Sequence, residues 1–302
     1  MIHYFKLGGV SLKALKRKKK VDWTQVMFIT ILIIWALIIA YPFYNSFLVS
    51  IVPMQVYLKT PFLIFPTEID LSSYTYVLQW KSLIWVFRTT IILFVVGSAY
   101  NMILTIFTAY ALTKPIPGRK FFSYMIIFTM YFSGGLIPGY LLMKNLHLIN
   151  TYASMILPTG INIMYLILMQ SYFRTLPNEL EEAARIDGAS DIIILFKIIL
   201  PLSLPMMATI FLFYGVDRWN EWYLGMLYIR DAEKWPLQLF IRNMLQQAAL
   251  VTSDIPSSAR GTVFPLGLQM ATIIITILPI ACLYPFLQKY FVKGLVLGGV
   301  KG

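Results

Sequence analysis

Cysteine, histidine and charge are all scarce in this chain, and each shortage closes off a class of answer. Cys282 is the only cysteine among 302 residues, so a disulfide scaffold is excluded. The two histidines, His3 and His147, lie far apart in sequence and do not make a histidine-rich metal site. Charged residues are 13% of the chain and hydrophobic ones 59%, whereas soluble domains carry about 25% and about 45–50%. With a mean hydropathy of +0.72, those proportions exclude a soluble globule, and the lack of charge excludes a disordered chain. Nor does any stretch match G-x-x-x-x-G-K-[ST], the backbone cradle that nucleotide hydrolysis uses for phosphate.

What is present is apolar sequence in membrane-length runs. About 20 apolar residues cross a bilayer, and six such runs are found. They cover about Val26–Phe47, Leu83–Leu112, Phe121–Met143, Tyr152–Tyr172, Pro201 to the region of Trp222, and Phe264–Phe286. Each is expected to be helical, because a lone strand leaves its backbone unpaired in lipid. The fold class read here is an all-α polytopic membrane protein with six transmembrane helices. The first run is long, no A-x-A site follows it, and Tyr41, Pro42, Tyr44 and Asn45 stand near its end. It reads as a retained helix and not as a cleaved signal. No inverted repeat and no low-complexity segment is visible.

Lys and Arg placement sets the orientation. Lys6, Lys13, Lys16, Arg17, Lys18, Lys19 and Lys20 precede the first run, and Lys114, Arg119 and Lys120 follow the second. Arg174, Arg185 and Lys197 follow the fourth, and Lys289, Lys293 and Lys301 sit in the tail. Both termini and the even-numbered loops are therefore expected in the cytoplasm. The net charge of +12 reads as membrane orientation, with Lys16–Lys20 a lipid-flanking anchor and not a nucleic-acid contact. Residues 1–22 form a basic cytoplasmic segment, and 23–302 the six-helix domain. Two long outer loops, about Ser50–Ser82 and Leu224–Val263, carry Trp and charge and are expected to pack on the outer face.

The loop after the fourth run, within 177–201, differs from the rest. Glu179, Glu181, Glu182, Asp187 and Asp191 crowd it, most of them near Arg185. Pro177 closes the preceding run; Asn178 suits an N-cap, with Glu181 three residues on able to bond back. Leu180, Ala183, Ala184 and Ile186 make a small apolar face at helical spacing. Gly188 suits the left-handed residue that ends a helix. Ser190 or Asp191 then starts a second helix, broken from the fifth run by Pro201 and Pro205. A helix lying on anionic lipid is normally basic on its polar face; this one is acidic, and so reads as a protein-docking element. Glu182 and Arg185 are placed to form charge-assisted bonds to a partner.

These residues resemble a known family. Glu182-Ala183-Ala184, then Gly188, nine residues, and Ile198-Ile199-Leu200-Pro201 match the EAA motif of ATP-binding-cassette (ABC) importer permeases. Ile137-Pro138 with Tyr140, Asn150-Thr151, Leu157-Pro158 and Leu176-Pro177 extend the match. Trp219-Asn220-Glu221-Trp222, Pro236-Leu237-Gln238 and Tyr284 through Phe291 resemble the carbohydrate-type LplC/YtcP branch. The tail also resembles that of the maltose-transporter subunit MalG. The resemblance spans about residues 15–302. It implies a type I importer in a bacterial cytoplasmic membrane, a multi-pass subunit with both termini inside. The implied partners are a second six-helix permease, two ATPases, an extracellular or periplasmic solute-binding protein, a carbohydrate and membrane lipid. The chain itself is not an enzyme and has no cofactor of its own, ATP and Mg being bound by the ATPase. The loop would be the coupling helix, with Glu181 or Glu182 as polar contact, Ala183 and Ala184 as packing face, Gly188 as turn, and Arg185 and Asp187 beside them. The tail Gly298, Gly299, Val300, Lys301 and Gly302 would also reach the ATPase pair.

Polar residues inside the runs are candidates for the pathway, since ionisable groups in a span usually face a bundle interior or a wet cavity. The densest set is Tyr214, Asp217, Arg218, Trp219, Asn220, Glu221 and Trp222. Aromatic faces with hydrogen-bonding groups suit a sugar; an Asp217–Arg218 or Arg218–Glu221 pair within an aromatic belt suits the same residues without a substrate. Asn101, Asn162 and Gln170 are further candidates, or plain interhelical bonds. Ser133-Gly134-Gly135 allows close helix packing or a kink. Cys282 reads as a buried, inert thiol. The function expected is a permease subunit for a carbohydrate, an oligosaccharide by family. A polyamine or other solute is the alternative within importers, and an ion-coupled carrier the alternative outside them. An intramembrane enzyme would need catalytic groups paired across spans, and Asp217 is the only clear in-span aspartate.

Overall fold

The computed structural model describes residues 23–60, 63–246 and 264–299, with side chains as far as Cys282. The basic segment 1–22, residues 247–263 of the second long loop, and Val300, Lys301 and Gly302 lie outside the described residues. The chain divides into two units, Met1–Asn45 and Ser46–Gly302. The first consists, as described, of most of helix α1 (Trp23–Ser50), which is apolar all round and exposes side chains such as Trp35, Leu37 and Ile38. A helix without a polar face is suited to lipid and not to water.

The second unit contains everything else. Short helices α2 (Met54–Lys59) and α3 (Ser72–Leu78) precede a long rod built from α4 (Lys81–Ile92), a π-helical turn (Leu93–Gly97) and α5 (Ser98–Thr113). Helices α6 (Arg119–Tyr131) and α7 (Leu136–Asn145) follow. Next come α8 (Ala153–Ile156), prolonged by a 3-10 turn to Thr159, and α9 (Ile163–Phe173). After α10 (Asn178–Ile186) come α11 (Asp191–Ile194), a second π turn (Leu195–Ile199), α12 (Leu200–Leu202) and α13 (Leu204–Trp219). The unit ends with α14 (Tyr223–Tyr228), α15 (Leu237–Gln246) and α16 (Pro265–Gly299).

Among the described residues, three stretches are long and apolar enough to cross a bilayer alone: Trp23–Ser50, Lys81–Thr113 and Pro265–Cys282. The number becomes six when three bent pairs each count as one span. The bends are 113° between α6 and α7, 53° between α8 and α9, and 84° between α11–α12 and α13. Spans three, four and five are thus broken; the sequence allowed a kink in span three and expected a joint before span five, and the break in span four was not foreseen. Each break has a local cause. Gly135 sits at φ +88°, which only glycine adopts freely. Gly160 and Asn162 interrupt span four after Pro158. Ser203 lies between Pro201 and Pro205, and Pro205 occupies the first turn of α13, where its missing N–H is not needed. The expected proline joint before span five is therefore present.

Two further readings need correction. Ser133 and Gly134 are exposed, so within this chain they serve the kink and not helix packing. Cys282 is exposed on α16 and not buried.

The two largest apolar clusters among the described residues join most of the unit's helices. One joins α5, α9, the α11 segment and α13, through residues such as Ala109, Met169, Ile194 and Ile210. The other joins α3, α4, α13, α15 and α16, through Val77, Val86, Trp219, Leu237 and Leu268. In lipid such helices associate by close packing more than by water exclusion, which favours small residues at contacts. Gly215 of α13 meets that need: a Cβ there would lie 2.6 Å from the Phe94 ring. Phe94 in turn packs edge-on against Phe211 at 6.0 Å and Trp219 at 6.4 Å. Gly215→Val should destabilise the fold by about 2 kcal/mol through overpacking, seen as a lower unfolding midpoint in detergent. Adding Phe94→Leu should recover most of the loss; an unchanged midpoint for the single variant would mean the contact is not close.

Candidate functional site

The break in span four generates a polar problem that the neighbouring spans solve. Where α8 stops, the carbonyls of Met155, Ile156, Thr159 and Gly160 lose their helical partners, and lipid offers no water in exchange. Arg218 of α13, buried, donates from Nη1 to Met155 O at 2.7 Å and from Nη2 to Ile156 O at 3.2 Å. A cation at a helix C-terminus also faces the negative end of the helix dipole. Its Nε and Nη2 donate to Asn101 Oδ1 at 3.1 and 2.8 Å. Asn101 of α5, itself fully buried, donates from Nδ2 to Thr159 O and to Gly160 O, the latter at 2.8 Å. The far side of the break is closed by Asn162, whose Oδ1 accepts from the N–H groups of Met164 and Tyr165 and caps α9. Tyr214 OH accepts from Asn162 N at 3.0 Å and bonds Thr105 Oγ1 at 2.7 Å.

Beside this network lies a cavity of about 300 Å³, lined by Asn101, Pro158–Thr159, Ile161–Asn162, Tyr214, Asp217–Arg218 and Glu221. Of the residues picked from the sequence, Asn162, Tyr214, Asp217 and Glu221 are brought together here. Trp219 and Asn220 are not. Trp219 is buried in the second apolar cluster, and Asn220 spends its Nδ2 on Val216 O at 3.0 Å. No ion pair joins Arg218 to Asp217 or Glu221 among the described residues. Asp217 Oδ2 instead accepts from Tyr165 OH at 3.0 Å, and Glu221 Oε1 accepts from Leu224 N at 2.9 Å. Four of the five guanidinium N–H donors are engaged, and each carboxylate keeps acceptor capacity free for hydrogen-bond donors. Gln170 lies elsewhere, donating to Leu112 O at 3.1 Å.

Tyr165 escaped the sequence reading, and so did the role of Arg218. Tyr165 stands three residues after Asn162, on the same helical face. That spacing, together with an in-span aspartate lacking a donor, was the available signal. Outside the break, Asn150 adopts φ +65° and clasps the loop after α14. Its Nδ2 donates to Asp231 Oδ2 at 2.7 Å, and Lys234 Nζ donates to the same atom at 3.1 Å. These bonds hold the Asp231 carboxyl below the usual carboxylate range.

The acidic loop forms as a helix, turn and helix. Gly188 takes φ +81°. The N–H of Ala189 bonds Ala184 O at 2.9 Å and that of Gly188 bonds Arg185 O at 3.0 Å, the bond pair of a Schellman end. Ser190 Oγ then caps α11 by accepting from Ile193 N. The N-terminal end differs from expectation. Pro177 occupies the cap position without a side-chain bond, and Asn178 is already helical. Glu181 does not return to the cap; it pairs with Lys114 at the end of span two. Arg185 pairs within the loop, to Asp191 Oδ1 at 2.7 Å, and so is engaged before any partner arrives. Ala184 is half-buried against the first apolar cluster. Glu182 and Ala183 are exposed, Leu180 is 43% exposed and Ile186 86%.

Comparison with known proteins follows from this geometry. No family profile matches the chain. The polygalacturonan/rhamnogalacturonan transport system permease protein YtcP of Bacillus subtilis is 38% identical over 277 residues, covering 90% of this chain and 96% of the relative. LplC of the same organism is 42% identical over 242 residues, covering 80% and 82%. A crystal structure of a bacterial ABC transporter involved in import of the acidic polysaccharide alginate contains a chain that superposes with a TM-score of 0.82. That chain is 33% identical, with 89% of this chain and 96% of that one covered. These relatives are transport components and not catalysts. The sequence motif, the broken-span architecture and the near-complete coverage together place this integral membrane chain in the family of permease subunits of carbohydrate ABC importers.

Proposed function

We propose that this chain forms half of a translocation pathway for a carbohydrate across a bacterial cytoplasmic membrane. Both termini and the α10 loop face the cytoplasm, and a second six-helix permease completes the pathway. Two separate ATPase subunits bind and hydrolyse ATP with Mg, and a solute-binding protein delivers the sugar from outside. The observation that carries the reading is α10: a short amphipathic helix whose Leu180, Ala183 and Ile186 lie bare beside the unpaired Glu182. Ile186 would cost free energy in water and is too isolated for lipid, so a protein groove is its natural cover. The Lys/Arg distribution supports the orientation. The tail Gly298 to Gly302 is assigned a contact with the ATPase pair by the family resemblance alone.

The cavity supports the substrate class. Among its lining groups the Asp217 and Glu221 carboxylates keep acceptor capacity, while four of the five N–H donors of its guanidinium are spent on Asn101, Met155 and Ile156. It therefore offers acceptors to a ligand rich in hydroxyl donors, as a sugar is. The chain's contribution to transport is then twofold, a wall of the pathway and a lever on it.

Two outcomes test the two halves. Glu182→Lys should abolish sugar uptake while the chain still inserts and pairs with its partner permease; uptake at the normal rate would remove α10 from the docking role. Tyr165→Phe with Asp217→Asn should reduce transport about tenfold, as expected for two polar contacts of about 0.7 kcal/mol each, without loss of ATPase from the purified complex. Unchanged transport kinetics in that variant would assign sugar contact to the partner permease.

A further inference from the structure

We infer that Lys114 is the second handle of the coupling helix, a positioning residue that ties α10 to span two. Covalently, the α10 loop is joined to spans four and five only. The ion pair of Lys114 Nζ with Glu181 Oε2 adds span two to that set. The inference rests on the proposed role of α10 and extends it to a helix the loop does not touch through the chain.

The contact is built and shielded. Lys114 is the residue at which α5 ends, in extended conformation before Pro115. A residue before proline is held to that conformation, so the backbone fixes where its side chain starts. Its ammonium lies 4.3 Å from the ring centre of Tyr110, one turn back, a cation–π contact that settles the stem along the helix. Tyr110 packs edge-on at 6.4 Å against Phe173, the last residue of α9. The side chains of Lys114 and Glu181 are 12% and 20% accessible, which keeps water and salt from screening the pair as they would on an open surface. By contrast the Arg185–Asp191 pair in the same loop is about half exposed on both sides and closes only the loop itself. The doubled acid Glu181-Glu182 thus divides its work: Glu181 turns inward to span two and Glu182 remains outward.

What span two does with the connection follows from its shape. Between Lys114 and Asn101 the helix is unbroken α, a rod of about 20 Å. Asn101 holds both Arg218 and the carbonyls of the span-four break. Just beyond, the π turn Leu93–Gly97 interrupts the regular ladder, and such turns are places where helices yield. A displacement of α10 would reach Asn101 through a stiff segment with a joint behind it. The break in span four would then be moved from two sides at once, through its own chain and through Asn101.

The test uses the complete transporter, purified with its ATPase and binding protein and reconstituted in proteoliposomes, and reads sugar carried per ATP hydrolysed. Lys114→Met, which keeps the stem and removes the charge, should lower that ratio about tenfold while ATP hydrolysis stays within about twofold of the parent. Lys114→Arg should keep the ratio. Lys114→Glu should lose it, and Lys114→Glu with Glu181→Lys should regain most of it, the signature of a direct pair in a double-mutant cycle. A merely structural role would lower the amount of complex and leave the ratio of the surviving complex alone. A normal ratio in Lys114→Met overturns the inference, as does a charge swap that binds ATPase normally without restoring the ratio. Glu182→Lys in the same assay separates the two levels. If it leaves transport intact, the docking role of α10 itself fails, whatever Lys114 does.

Discussion

One guanidinium carries the architecture. A membrane helix cannot be broken unless the carbonyls freed at the break find donors, because the bilayer core supplies none. In this chain the donors come from Arg218 and from Asn101, and between them they cover Met155, Ile156, Thr159 and Gly160. Among the described residues Arg218 makes no salt bridge to a carboxylate. Four hydrogen bonds from its fork to one amide oxygen and two carbonyls take that place. The site demands room as well as bonds: a Cβ at Gly97 would sit 2.9 Å from Arg218 Nε. Gly97 lies in the π turn of span two, so the irregularity of one span accommodates the residue that permits the irregularity of another.

That constraint explains why a polar cavity exists at this place at all. Spans two, four and five meet at the break, and each contributes polar residues that are consumed in holding it: Asn101 with Thr105, Asn162, and Arg218 with Tyr214. Because the hydrogen bonds of Arg218 go to backbone and amide, Asp217 and Glu221 feel its charge without bonding to it and line the cavity with acceptors to spare. An Asp217–Arg218 ion pair would have left a closed, self-satisfied knot. The observed arrangement leaves a lining that is complete only with a hydroxyl-bearing guest or water. Trp219 does not line this cavity. It packs with Phe94 in the apolar cluster, where its area stabilises the fold and offers no ring face to a ligand.

Much of this was legible before any coordinates. Gly188, the two prolines around Ser203 and the acidic helix were readable because local geometry dictates them: a positive φ, a missing N–H, a 3.6-residue period. Within α13, Tyr214, Asp217 and Arg218 stand at steps of three and four and share a face, whereas Trp219 stands two residues from Asp217 and so points away; Glu221 follows just past the end of the helix. What could not be read were partners distant in the chain. Lys114 and Glu181 are 67 residues apart, and Arg218 and Asn101 are 117 apart; nothing local in either segment names the other. The helix cap failed for a subtler reason. Asn178 has the right chemistry, but Pro177 before it is extended and already ends the connection, which moves the helix start by one residue.

The two ends of the bundle then pose one mechanical question. On the proposed role of α10, work enters the chain through that helix. A loop joined only to spans four and five could tilt those spans without opening the break between α8 and α9, since both would move together. Opening requires that the third wall, span two, move by a different amount. The Lys114–Glu181 pair places span two under the same load but through a salt link and a rod instead of through the backbone. Spans four and five have their own joints, bent by 53° and 84°, while the rod of α5 yields only at the π turn above Asn101. Equal displacement at α10 therefore becomes unequal displacement at the cavity, and unequal displacement of its walls is what changes access to a site held between them.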